Sequence, residues 1–129
     1  MNIVLVDSGQ LEGKPEFPPI DLPKFAWLEY VDLPPEEIEE RCWRADVIVS
    51  ANTQINAAVI KDSYKLKLII AAGDSTEHID KATAKERGVI VCNVPGLTAD
   101  NVKNSQTIAN QVVNNVHAWL DEKPINVID

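Results

Sequence analysis

The chain has 129 residues, 45% of them apolar and 25% charged, which is the size and composition of a single folded unit able to bury roughly two thirds of the surface its unfolded form exposes. A net charge of −8 excludes the clustered Lys and Arg that binding to nucleic acid or an anionic membrane surface requires. Two cysteines, Cys42 and Cys92, are too few for a disulfide scaffold, and with no basic segment leading an apolar one at the N-terminus and no run of membrane-spanning length, the expectation is a cytoplasmic protein.

In chain order, short apolar runs come first at residues 2–7 (NIVLVD), then at 27–31, 46–50, 66–72 and 89–94. Four of the five are continuous rather than alternating, as in strands buried on both faces of a parallel sheet. The stretch 8–26 between the first two carries Pro15, Pro18, Pro19 and Pro23, so an irregular connection is expected there instead of a crossover helix. From Pro35 the sequence PEEIEERCWRA places proline at the first helical position, Glu36 and Glu37 at the positive end and Arg41 and Arg44 at the negative end of a helix. A short helix over 53–63 and a third over 78–88, stopped by Gly88, complete a βαβαβαβ alternation. Last comes a long helix over about 100–121, whose Ile108, Val112, Val116, Trp119 and Leu120 form one stripe with Ala109 and Val113 beside it. Pro124 ends it, and INVID follows as an extended tail. The fold class expected is α/β: a flavodoxin-like, doubly wound, five-stranded parallel sheet closed by the C-terminal helix.

A ligand site in such a sheet lies beyond the carboxyl ends of the strands, where the strand order reverses. Those ends read Asp7-Ser8-Gly9, Ser50-Ala51-Asn52-Thr53, Ala72-Gly73-Asp74-Ser75 and Asn93-Val94-Pro95-Gly96. They suit a small anion held by backbone N–H groups, although small polar residues also follow parallel strands merely to turn the chain. A phosphoacceptor receiver domain would need an acidic pair after the first strand, an Asp ending the third and a Lys ending the fifth. Only Asp7 is present. A flavin-binding flavodoxin would need a hydroxyl-rich loop where DSGQLEG offers one Ser.

Residues 65–102, KLKLIIAAGDSTEHIDKATAKERGVIVCNVPGLTADNV, resemble the D-isomer-specific 2-hydroxyacid dehydrogenases, in which an AGxGxxxID loop is followed by a VCNVPG motif. MNIVLVDSGQLEG, PPEEIEERCWRADVIVSANTQI and the final NQVVNNVHAWLDEKPINVID are also similar to that family's outer segments. The resemblance implies a substrate domain, with 1–98 as its N-terminal segment and 99–129 as its C-terminal helix and tail, all within one domain of 1–129. It also implies that the NAD-binding domain, with its catalytic Arg, acidic residue and His, would stand between those segments. No G-x-G-x-x-G occurs in the sequence. No catalytic residue, metal ligand or cofactor is therefore assigned, and redox activity is not expected of this chain alone.

What the resemblance carries over is a residual substrate site: backbone N–H groups of Ala72, Gly73, Asp74 and Ser75, with Asn52 at the end of the third strand. Ser75 stands where the family has a second glycine, in a position expected to strain it if φ is positive, and Asp74 sets a negative charge beside an anion. His78 matches an HID variant and reads otherwise as a helix-start residue packing locally; His117 reads as a bystander. The amide-rich NVKNSQTIANQ suggests a rebuilt surface. The partners expected are a small 2-oxo or 2-hydroxy carboxylate and a second copy in a homodimer, with a carboxylate-binding regulatory module or an assembly scaffold as the alternative function.

Overall fold

The computed structural model describes residues 1–128. Five parallel strands form one sheet: β1 (Asn2–Leu5), β2 (Ala26–Glu29), β3 (Val47–Ser50), β4 (Leu68–Ala71) and β5 (Ile90–Cys92), in the order β2-β1-β3-β4-β5. Four helices accompany them: α1 (Pro35–Cys42), α2 (Ala57–Asp62), α3 (Lys81–Glu86) and α4 (Ser105–Leu120). Among the described residues no helix is long and apolar enough to cross a membrane.

The continuous apolar runs are explained by where their side chains go. Val4 of β1 and Val6 just after it join Ile48 of β3, Ile69 of β4 and Val91 of β5 in a core layer under Ile38 and Cys42 of α1, Val59 and Ile60 of α2, and Ala84 of α3. The alternate residues, Ile3, Leu5, Val47, Val49, Leu68 and Ile70, face the other way onto Ile108, Val112, Val113 and Val116 of α4. Period-two alternation thus exists, but both sides are apolar because both are covered. The α4 side chains are buried, and their removal from water is worth on the order of 10 kcal/mol before entropy.

The proline-bearing connection between β1 and β2 forms no crossover helix, only a 3-10 turn at Ser8–Gln10; its Leu11 and Ile20 share the core layer of α4. Caps shorten the expected helices. Asn56 accepts the N–H of Val59 at 3.0 Å, so α2 begins at Ala57 rather than residue 53. Asp80 likewise accepts from Thr83 at 3.1 Å and starts α3 at Lys81, three residues after His78. α4 starts at Ser105, after turns through 98–104, where the pattern had suggested residue 100. The tail bends at Asn126 rather than running fully extended, and it is not loose: Val127 bridges antiparallel to Cys92, and the Ile128 N–H donates to the Val91 carbonyl at 2.8 Å, covering the free edge of β5.

Candidate functional site

The strand order reverses between β1 and β3, and a buried carboxylate joins their carboxyl ends. Asp7, with no exposed surface, accepts the Ala51 N–H on Oδ1 at 2.8 Å and the Asn52 and Thr53 N–H groups on Oδ2, each at 2.8 Å. Three backbone donors on one buried acceptor group fix the loop after β3. The Ser50 hydroxyl donates to the Thr53 carbonyl at 2.6 Å, and His78 Nε2 lies 3.0 Å from the Ser50 carbonyl. His78 therefore belongs to the wall of this loop, through its ring, rather than only to a helix start.

Beyond these ends lies a cleft of about 330 Å³, lined by Gln10 after β1, Ala51 and Asn52 after β3, and Gly73, Asp74 and Ser75 after β4, with Thr98, Ala99 and Asp100 opposite. Asn52, Gly73, Asp74 and Ser75 are thus brought together; Ala72 is buried behind them. The Ala72 N–H donates to the Ser50 carbonyl at 2.9 Å and that of Asp74 to the Leu97 carbonyl at 2.7 Å, so neither is available to a ligand. The N–H groups of Gly73 and Ser75 have no acceptor among the described residues. Gly73 has φ +156°, a conformation that favours glycine, while a Cβ there would meet the Leu97 carbonyl oxygen only at ordinary contact distance, 3.4 Å. Ser75 is not among the positive-φ residues, and replacing glycine there costs no backbone strain.

The charge of Asp74 is partly satisfied. Its Oδ1 accepts the Gly96 N–H at 2.8 Å, pinning the Pro95-Gly96 turn, and its carbonyl accepts from Asn93 Nδ2 at 2.9 Å. The charged side chains lining the cleft, Asp74 and Asp100, are both acidic. The cleft therefore combines two N–H groups without an acceptor, those of Gly73 and Ser75, with an acidic rim and no cation among its lining residues.

Other reactive groups are set apart. Burial pushes the Cys42 thiol up to about 12 and the Cys92 thiol up to about 11, which leaves both inert at neutral pH. Asp80 is held below the usual carboxylate range, first by the Thr83 N–H and then by the Thr83 hydroxyl, as an N-cap is. A larger groove, about 410 Å³, runs between Lys81 and Lys85 of α3 and the tail at Val127 and Ile128. It flanks the sheet edge rather than the strand ends, which is not where open α/β sheets hold ligands.

Sequence reasoning missed Asp7 as the loop anchor, although a lone acid ending an apolar run signals it. It also missed the contacts of Gln106, Ser105 and His117. Gln106 of α4 accepts the Glu16 N–H at 3.0 Å and donates to the Glu16 carbonyl at 2.6 Å; Ser105 donates to the Glu12 carbonyl; His117 Nε2 accepts the Asp21 N–H at 2.9 Å. These side chains stitch α4 to the proline-bearing connection, and His117 is not a bystander.

Comparison with known proteins follows the same lines. The model of the D-isomer specific 2-hydroxyacid dehydrogenase catalytic domain matches residues 14–129. The erythronate-4-phosphate dehydrogenase of Shewanella oneidensis is 36% identical over 78 residues, 60% of this chain and 20% of the relative. The D-3-phosphoglycerate dehydrogenase of Methanocaldococcus jannaschii is 38% identical over 68 residues, 52% of this chain and 13% of the relative. Among solved structures, the 3-phosphoglycerate dehydrogenase of Entamoeba histolytica superposes with a TM-score of 0.60 at 23% identity, over 74% of this chain and 33% of its own, a likeness of fold. The chain thus spans about a third or less of the length of these relatives.

Proposed function

The chain belongs to the D-isomer specific 2-hydroxyacid dehydrogenase family, and on that premise we propose that it is the substrate-holding part of such an enzyme. In this reading residues 1–98 and 99–129 together form one domain that receives a small 2-oxo or 2-hydroxy carboxylate and, alone, neither oxidises nor reduces it. The observation that supports the reading is the strand-end cleft lined by Asn52, Gly73 and Ser75, where the N–H groups of Gly73 and Ser75 have no acceptor among the described residues.

NAD, the family's cofactor, does not fit the residues present. Dinucleotide sites place the pyrophosphate at the N-terminus of a helix that follows the first strand through a glycine-rich turn. Here β1 runs into a three-residue 3-10 turn. The glycine within it, Gly9, is packed so tightly that a Cβ would lie 2.9 Å from the Val31 carbonyl oxygen. The fingerprint is absent from the whole sequence, and residues 99–104 link the cleft rim to α4 directly. No step is therefore assigned to a hydride. Purified protein mixed with NADH and glyoxylate, pyruvate or hydroxypyruvate is expected to leave the 340 nm absorbance constant; its steady decline would defeat the reading.

A second reading, a homodimeric assembly scaffold, draws on the exposed apolar side chain of Val102, on the link beside the cleft rim, and on Val31 beyond β2. Sedimentation velocity distinguishes the two: a dimer that loses its affinity in Val102→Asp supports the scaffold, and a monomer at all concentrations opposes it.

A further inference from the structure

Asn93, immediately after β5, sends three polar groups to three different parts of the molecule. Its N–H donates to the Asn126 carbonyl of the tail at 3.1 Å. Its carbonyl accepts from Asn115 Nδ2 of α4 at 2.9 Å. Its Nδ2 donates to the Asp74 carbonyl in the cleft loop at 2.9 Å. Asn115 is fully buried, and its Oδ1 accepts from both Gln111 Nε2 and Asn126 Nδ2, each at 2.9 Å. Asn126 itself has φ +57°, a conformation that asparagine tolerates better than most residues and that aims its amide at α4.

We propose that Asn126, Asn115 and Asn93 form a positioning relay through which docking of the C-terminal tail on β5 sets the geometry of the Gly73–Ser75 loop. Each member is held by bonds that only one orientation of its amide satisfies, because a buried donor left without an acceptor is costly. Undocking Asn126 leaves Asn115 Oδ1 with a single donor and releases the Asn93 N–H. Asn93 is then free to turn, and with it goes the bond holding the Asp74 carbonyl. The Asp74 N–H bond to Leu97 and the Asp74 carboxylate bond to Gly96 close the opposite side of the same loop, so a shift at Asp74 is transmitted to both walls of the cleft. Asn126, which lines no part of the cleft, acts as a positioning residue for it.

The relay's functional meaning rests on the cleft being the ligand site, but its test needs no ligand. Asn126→Gly accommodates the positive φ, removes the side-chain bond to Asn115 and leaves the Asn126 backbone carbonyl to the Asn93 N–H, so it cuts the side-chain arm of the relay. Hydrogen exchange at the Asp74 N–H is expected to quicken about fivefold, the effect of losing one ordinary hydrogen bond, while exchange at the Val6 N–H in the sheet stays constant. In an Asn93→Ala background, or Asn93→Ser if the alanine variant does not fold, Asn126→Gly is expected to add nothing at Asp74, since the link is already cut. An unchanged Asp74 rate in Asn126→Gly overturns the relay, as does an equal rise at Val6 or a full additional effect in the Asn93 background. A parallel titration with glyoxylate keeps the two readings separate: a cleft that ignores glyoxylate while Asp74 responds to Asn126→Gly refutes the binding function and leaves the relay standing.

Discussion

Asp7 and Asn52, 45 residues apart, meet where β1 and β3 end, the Asp7 carboxylate holding the Asn52 N–H at 2.8 Å in a site with no exposed surface on the acid. The same group holds Ala51 and Thr53. Asp7→Ala is therefore expected to lower stability by about 3 kcal/mol, as deletion of a buried multiply bonded acceptor does, or roughly 10 °C in Tm for a chain of this length. Asp7→Asn keeps one acceptor oxygen and should fall between. Thermal unfolding by circular dichroism checks the order wild type, Asn, Ala.

Helix α4 belongs to the same cooperative unit as the sheet, because Ile108 and Val112 are wholly buried against Ile3, Leu5 and Val49. Ile108→Ala is expected to cost about 3 kcal/mol through lost burial and the cavity left behind. Urea unfolding followed by helix and by tryptophan signals should remain one coincident transition. Separate transitions would show a helix docked independently of the sheet.

Gln106 holds both backbone polar groups of Glu16. Gln106→Ala is expected to reduce stability by only about 1 kcal/mol, since the pair is exposed, yet to raise limited proteolysis within residues 12–24 severalfold by freeing that connection. Cleavage elsewhere first would contradict the stitching.

Acid should weaken α3 in a definite direction. The carboxyl of Asp80 is held below its ordinary value of 3.8 by Thr83. A group whose folded value is depressed contributes stability that is fully present above the unfolded value and is lost as pH falls through the folded one. The stability difference between wild type and Asp80→Asn is expected to shrink on acidification below 3.8, and carboxyl NMR should place the Asp80 midpoint below 3.8. A midpoint at or above that value would contradict the cap.

The strands and their order class were legible because burial on both faces leaves an uninterrupted apolar run, as in Val47-Ile48-Val49. Helix starts were less so. Thr53 looks helical by pattern, but its N–H is committed to Asp7, and a side chain 46 positions away leaves no mark on local periodicity. The cleft residues Asn52, Gly73, Asp74 and Ser75 could be named from their place after strands. The consumption of the Ala72 and Asp74 N–H groups by Ser50 and Leu97 could not, since it depends on register across the sheet and on the returning rim. The hydrogen-bond roles of Asn115 and Gln106 were not legible for the same reason: their partners lie 22 and 90 residues away.

The central claim, that the strand-end cleft receives a small carboxylate, is tested most directly by titrating 15N-labelled protein with glyoxylate and following its amide signals. The account predicts saturable shifts at Gly73, Ser75 and the Asn52 side chain, lost in Gly73→Ala, which strains the loop at φ +156°. Shifts confined to the Lys81 and Lys85 groove, or none at millimolar glyoxylate, would contradict it.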